Sequence, residues 1–328
     1  MAQSPETPDT ALIVQGGGMR GVYSIGALAA LEGFSEETGV DLRNAFSAGF
    51  GSSAGAINLA HYAAGHARDG IAIYTDKLTD GRFMPRLQPF DFQTARQDIG
   101  RVVRNGFKIV DIDRLANKVL QEQGRLTSFE GSIADNIYAV ATDAETGVPI
   151  ALRMSPEDPD LYEIFKATGA LPVLYNDIVE IKGGRYVDGG STSSVPLNSA
   201  VAHEPKPKHI VAILTREYGY RNKPHDAFRS FLYKSGVIAL SRGVQSEMVQ
   251  RLIGERHNEI GFNLDMARME DYGGVDPVSG VSFTLVQPSD PERMTSRLTM
   301  DRDKIVGAAE LGREDMLRAL DKAVIPVD

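Results

Sequence analysis

Short apolar runs that end at glycine, each followed by helix-like spacing, set the rhythm of this chain. Residues 11–14 form such a run and stop at Gly16-Gly17-Gly18, which predicts a buried strand entering a tight turn. The small and apolar positions of 22–31 then predict a helix packed on a sheet, with Gly33 as its stop. The same unit recurs, with a strand of small residues at 46–50 and a helix at 54–64. Further on, 138–142 and 149–154 read as paired strands around Glu145-Thr146-Gly147, 161–168 as a helix, and 178–181 and 185–187 as two more strands. The unbroken apolar run over 209–215 predicts a central strand covered on both faces. Helical spacing returns at 228–251 and 301–323, with a short strand at 281–286. Alternating elements of this kind predict an α/β fold with a mainly parallel sheet, in one domain over 11–328 behind a disordered tail of residues 1–10.

Composition narrows the function classes. The 328 residues are 42% hydrophobic and 24% charged, with no apolar stretch long enough to span a bilayer. The polar N-terminus lacks the basic and apolar regions of a secretory signal, so a cytoplasmic location is expected. Cysteine is absent, which removes disulfides and thiolate chemistry. With 35 basic against 44 acidic residues, the formal charge of -9 argues against nucleic-acid binding and against general attraction to anionic lipid surfaces. The six histidines lack metal-ligand spacing, and neither a metal nor a cofactor is expected.

Three motifs carry chemistry. Gly51-Ser52-Ser53-Ala54-Gly55 is a GxSxG sequence between a predicted strand and a predicted helix. Its glycines permit a sharp turn and close approach to the Ser53 oxygen, and the helix N-terminus favours developing negative charge. The plainer reading makes Ser53 only a helix N-cap. Gly16-Gly17-Gly18-Met19-Arg20-Gly21 fits two uses. As GxGxxG it matches a dinucleotide loop, although the acidic residues Glu36, Glu37 and Asp41 precede the second strand instead of ending it. As a turn of consecutive N–H groups it forms an oxyanion hole from Gly16, Gly17 and Gly18, with Arg20 holding the loop or raising its positive potential. Tyr186-Val187-Asp188-Gly189-Gly190 ends a predicted strand in an aspartate, a candidate base for the serine. A histidine-assisted triad would draw on His203, His209, His225 or His257, none of which has site-like neighbours.

In this order, each behind a strand, the glycine loop, GxSxG and Asp-Gly-Gly resemble the patatin-like phospholipase family, over about residues 11–214. The resemblance implies a three-layer α/β/α fold, with an insertion near 79–105 and a helical C-terminal region. It implies a Ser53–Asp188 dyad, an acyl-enzyme on Ser53, oxyanion binding by Gly17 and Gly18, and turn support from Gly51, Gly55, Gly189 and Gly190. Fatty acyl esters of lipids are the expected substrates. Two features depart from the family pattern. Ser193 and Ser194 stand where asparagines are common, and Gly169 stands where a serine is common, for which only a packing consequence is expected. Residues 79–105 mix Phe83, Phe90 and Phe92 with Arg82, Arg86 and Arg96, which suits a lid in peripheral contact with a membrane or an ordinary packing element. Two rival functions stand beside the hydrolase: an NAD(P)-dependent oxidoreductase using the glycine loop, and a lipid-binding protein with little turnover.

Overall fold

The computed structural model describes residues 8–79, 111–116, 126–171, 175, 177–217, 275 and 279–322. The expected insertion, apart from Thr79, lies outside the described residues, as do the helix expected at 228–251, His225, His257 and most of the N-terminal tail.

An eight-stranded sheet forms the middle layer. In chain order its strands are β1 (Thr10–Val14), β2 (Ala48–Ser52), β3 (Ile137–Asp143), β4 (Pro149–Arg153), β5 (Val179–Ile181), β6 (Gly184–Asp188), β7 (His209–Ile213) and β8 (Ser282–Val286). They lie in the order β5-β6-β3-β2-β1-β7-β8, with β4 also on β3. Strands β3, β2, β1, β7 and β8 are parallel, whereas β4 and β6 run antiparallel to β3. The run at 209–215 is thus an interior strand, between β1 and β8.

Burial on both faces explains why these strands read as continuous apolar runs. Along β1, Leu12 and Val14 face one core, while Ala11 and Ile13 face the other. The first core holds α1 (Gly21–Thr38), α2 (Ala54–Ala63), α3 (Ala67–Ala72), α4 (Leu161–Gly169) and α6 (Arg302–Asp321). The second is covered by α5 (Leu197–Val201) and its flanks. This is a three-layer α/β/α arrangement.

Helix α1 runs past Gly33, its expected stop, to Gly39, which takes φ 75° and donates its N–H to Ser35 O. A glycine inside a helix costs about 1 kcal/mol, which tertiary packing overrides, whereas the left-handed cap suits glycine outright. Every residue from Gly21 to Leu31 is buried, because α6 covers the side of α1 that the sheet does not. The two helices meet closely: a Cβ on Gly312 would lie 2.0 Å from Tyr23 O. Beside that contact Tyr23 donates to Asp315 at 2.9 Å, and Asp315 also accepts from Ser289 N and pairs with Arg318. Burial, followed by the Asp315 charge, pushes the Tyr23 hydroxyl pKa far up, so it remains a donor.

Since this contact has no room for a side chain, Gly312→Val is expected to destabilise the protein by about 3 kcal/mol. A lowered urea unfolding midpoint checks this; an unchanged midpoint would show that the contact does not hold the helices.

Candidate functional site

The parallel strands deliver their C-terminal ends to one edge of the sheet, where α/β folds bind ligands. From β1 comes the glycine loop, from β2 Ser53 and from β7 Thr215. Register brings the aspartate to the same place. Ser52 pairs with Val140, and the next residue of β3, Ala141, pairs with Asp188. Two residues 135 positions apart in sequence therefore share one level of the sheet.

Ser53 occupies φ 53°, ψ -130°, a conformation that costs a non-glycine residue about 1–3 kcal/mol. Its surroundings hold it there. Ser53 N donates to Thr168 Oγ1 at 2.8 Å, and the Thr168 hydroxyl donates to Val140 O at 2.6 Å. Both motif glycines are required by contact, since a Cβ on Gly51 would lie 2.4 Å from Ala56 Cα and one on Gly55 2.3 Å from Val14 O. Ser53 is the N-cap residue of α2, yet its side chain makes no capping bond. The hydroxyl instead faces the Asp188 carboxylate, whose charged form it favours. Ser52, off the motif phase, is fully buried and its hydroxyl has no partner among the described residues.

Asp188 is 2% exposed. Its Oδ1 accepts from Gly190 N at 2.6 Å, its backbone N–H donates to Ala170 O, and its carbonyl accepts from Thr142 Oγ1 at 3.0 Å. Burial pushes its pKa up to about 6, against the opposing pull of the Ser53 and Gly190 hydrogen bonds and the Arg297 charge. The Asp-Gly-Gly segment closes on itself: Thr192 shares a hydrogen bond with Thr142, and Ser193 Oγ donates to Val195 O. Serine at 193 thus braces the loop through its hydroxyl, while Ser194 reaches the pocket wall.

Gly16, Gly17 and Gly18 line the same pocket, and Gly18 takes φ 58°. Gly16 N donates to Ser194 O and Met19 N to Arg297 O. The N–H groups of Gly17 and Gly18 donate to no group among the described residues. Arg20 is buried away from the pocket wall, and its amide donates to Gly17 O at 3.2 Å. A Cβ on Gly16 would lie 2.5 Å from Ser52 O, so the loop rests on the serine turn.

These groups open onto a cavity of about 110 Å³. Ile57, Ile73, Leu115, Phe165, Leu171 and Leu298 make much of its wall, and Asp188, Arg216 and Arg297 are its charged members. No histidine among the described residues lines it. His203 lies edge-on to Phe50 and Tyr138, and His209 bonds to Ser282 and Thr284, both as structural groups. Among the described residues no cluster of acidic and histidine side chains is placed to hold a metal ion.

Sequence reasoning missed Thr168, Arg216 and Arg297. Thr168 lies in the last turn of α4, next to Gly169, from which only a packing consequence was expected, and its signal was a polar residue ending the apolar stripe of that helix. Arg297 comes from a polar stretch with no motif.

The uncharacterized protein YjjU of Escherichia coli K12 is 25% identical over 216 residues, covering 64% of this chain and 53% of YjjU. This chain therefore spans about half the length of that relative. The crystal structure of VipD from Legionella pneumophila aligns with 97% of this chain and 67% of its own at 14% identity and a TM-score of 0.43. The profile of the family described as Patatin-like phospholipase matches residues 12–201, a span that contains the glycine loop, Ser53 and Asp188. With more than half of its length matched, and on a mainly parallel α/β sheet, this chain belongs to the patatin-like phospholipase family.

Proposed function

We propose that the protein is a lipid acyl hydrolase that works through a Ser53–Asp188 dyad. The observation that carries this reading is the strained Ser53 and the buried Asp188 facing one apolar pocket, beside two uncommitted amides. Ser53 Oγ attacks the acyl carbonyl carbon while its proton passes to Asp188. The oxyanion takes hydrogen bonds from Gly17 N and Gly18 N, each such donor being worth roughly 10²–10³ in rate. Collapse breaks the ester bond, and the departing alcohol takes the proton from Asp188, leaving an acyl-enzyme. Asp188 then deprotonates a water that attacks the acyl carbon, and its proton returns to Ser53 as the fatty acid leaves. The apolar wall favours a fatty acyl chain, at about 0.8 kcal/mol per buried methylene.

Ser53→Ala and Asp188→Asn are each expected to lower ester hydrolysis by on the order of 10⁴-fold or more, while a fluorophosphonate labels the wild type at Ser53. A panel of phospholipids and neutral glycerides of varied chain length measures this. Full activity in either variant would remove the dyad, and lipid binding without turnover by the wild type would favour the lipid-binding reading.

The pH dependence follows from the Asp188 environment. Only the ionised carboxylate accepts a proton, and its pKa is raised to about 6, so the working form is lost as pH falls through that value. kcat/KM is expected to be level above about pH 6 and to drop tenfold per unit below it. A pH–rate profile centred near an ordinary carboxylate pKa would contradict the assignment of Asp188 as the base.

A further inference from the structure

An oxyanion hole made of backbone amides works only if its peptide planes are fixed before the substrate arrives. In a trans peptide the N–H points opposite to the C=O of the same plane, so a bond made by the carbonyl sets the direction of the amide. The plane carrying Gly17 N–H has the Gly16 carbonyl at its other end, and that carbonyl accepts from Thr215 Oγ1 at 2.8 Å. The plane carrying Gly18 N–H has the Gly17 carbonyl, which accepts from Arg20 N at 3.2 Å. The second bond is local to the loop, whereas the first comes from a residue 199 positions away.

We propose that Thr215, at the end of β7, is a positioning residue that aims the Gly17 amide at the oxyanion. This rests on the reading of Gly17 and Gly18 given above. Thr215 is 1% exposed and is not part of the pocket wall, so it acts from behind the loop and does not touch substrate. Its own place is fixed, because Thr215 N donates to Gln15 Oε1 at 2.7 Å and Gln15 N donates to Ile213 O at 2.9 Å. The hydroxyl has one proton and two acceptors in reach, Gly16 O at 2.8 Å and Gln15 Oε1 at 3.2 Å. The shorter contact takes it. A Cβ on Gly17 would lie 2.8 Å from the same hydroxyl, so the loop and Thr215 are packed without slack. Thr215 lies beyond residues 12–201 of the family match, and is a part of the site that the family motifs leave out.

The test measures kcat and KM for a p-nitrophenyl fatty acyl ester, together with the rate at which a fluorophosphonate labels Ser53. It compares wild type, Thr215→Val, Thr215→Ser and Ser53→Ala, with the urea unfolding midpoint of each. Thr215→Val keeps the shape and removes the hydroxyl, and is expected to lower both kcat and the labelling rate about 10- to 100-fold with KM within about threefold. Thr215→Ser restores the hydroxyl and is expected to bring both rates to within about threefold of wild type. A purely structural role predicts otherwise: a loss that follows the unfolding midpoint, or one that serine does not restore, overturns the inference. Should valine prevent folding, the labelling and kcat of Thr215→Ala and Thr215→Ser decide in the same way. A wild type that neither hydrolyses nor labels defeats the proposed function itself, whereas a wild type that does both alongside an equally fast Thr215→Val defeats only the role of Thr215.

Discussion

The backbone of Ser53 is the constraint on which the rest of the site depends. At φ 53°, ψ -130° it costs energy that no local interaction within the pentapeptide returns, and the chain keeps it because neighbouring elements leave no alternative. Gly51 and Gly55 allow α2 to pack directly on β1, and Thr168 fastens the Ser53 amide to β3 through Val140. The turn removes the hydroxyl from its ordinary use as a helix cap and presents it to Asp188. A serine in a relaxed cap would spend its oxygen on the helix.

Asp188 is held in a second, electrostatic tension. Burial disfavours its charge, while the Ser53 hydroxyl, the Gly190 amide and the Arg297 guanidinium favour it, and the balance falls near pH 6. A more exposed carboxylate would be a weaker base, and one buried without these partners would stay protonated at neutral pH. The arrangement suits a proton acceptor that works without a histidine between acid and serine.

Much of the support for the loop comes from the second half of the chain. Met19 N is taken by Arg297 O, Met19 O lies against the Thr295 hydroxyl, and Gly16 O accepts from Thr215. Helix α6 covers α1, whose first turn continues the loop. Residues 12–201 hold the three motifs, but the Gly16 carbonyl and the Met19 amide are bonded from outside that span.

The strands, the helix after each and the three motifs were legible in the sequence because each is written in neighbouring residues. Buried parallel strands are unbroken apolar runs, and glycine at 51, 55 and 189 marks where backbone approaches backbone. The extension of α1 past Gly33 was not legible, since the packing that overrides the glycine comes from α6 nearly 280 residues later. Nor were Thr168, Thr215 and Arg297, because each is an ordinary polar residue whose partner lies on another strand. The sequence by itself determined which residues could react: Ser53, Asp188 and the amides of the glycine loop. Tertiary structure alone decided that they meet, through the register that sets Ala141 beside Asp188 one level beyond Ser52, and through hydrogen bonds whose two ends are far apart along the chain. Such bonds fix orientation, which depends on where a donor stands in space and leaves no local pattern to read.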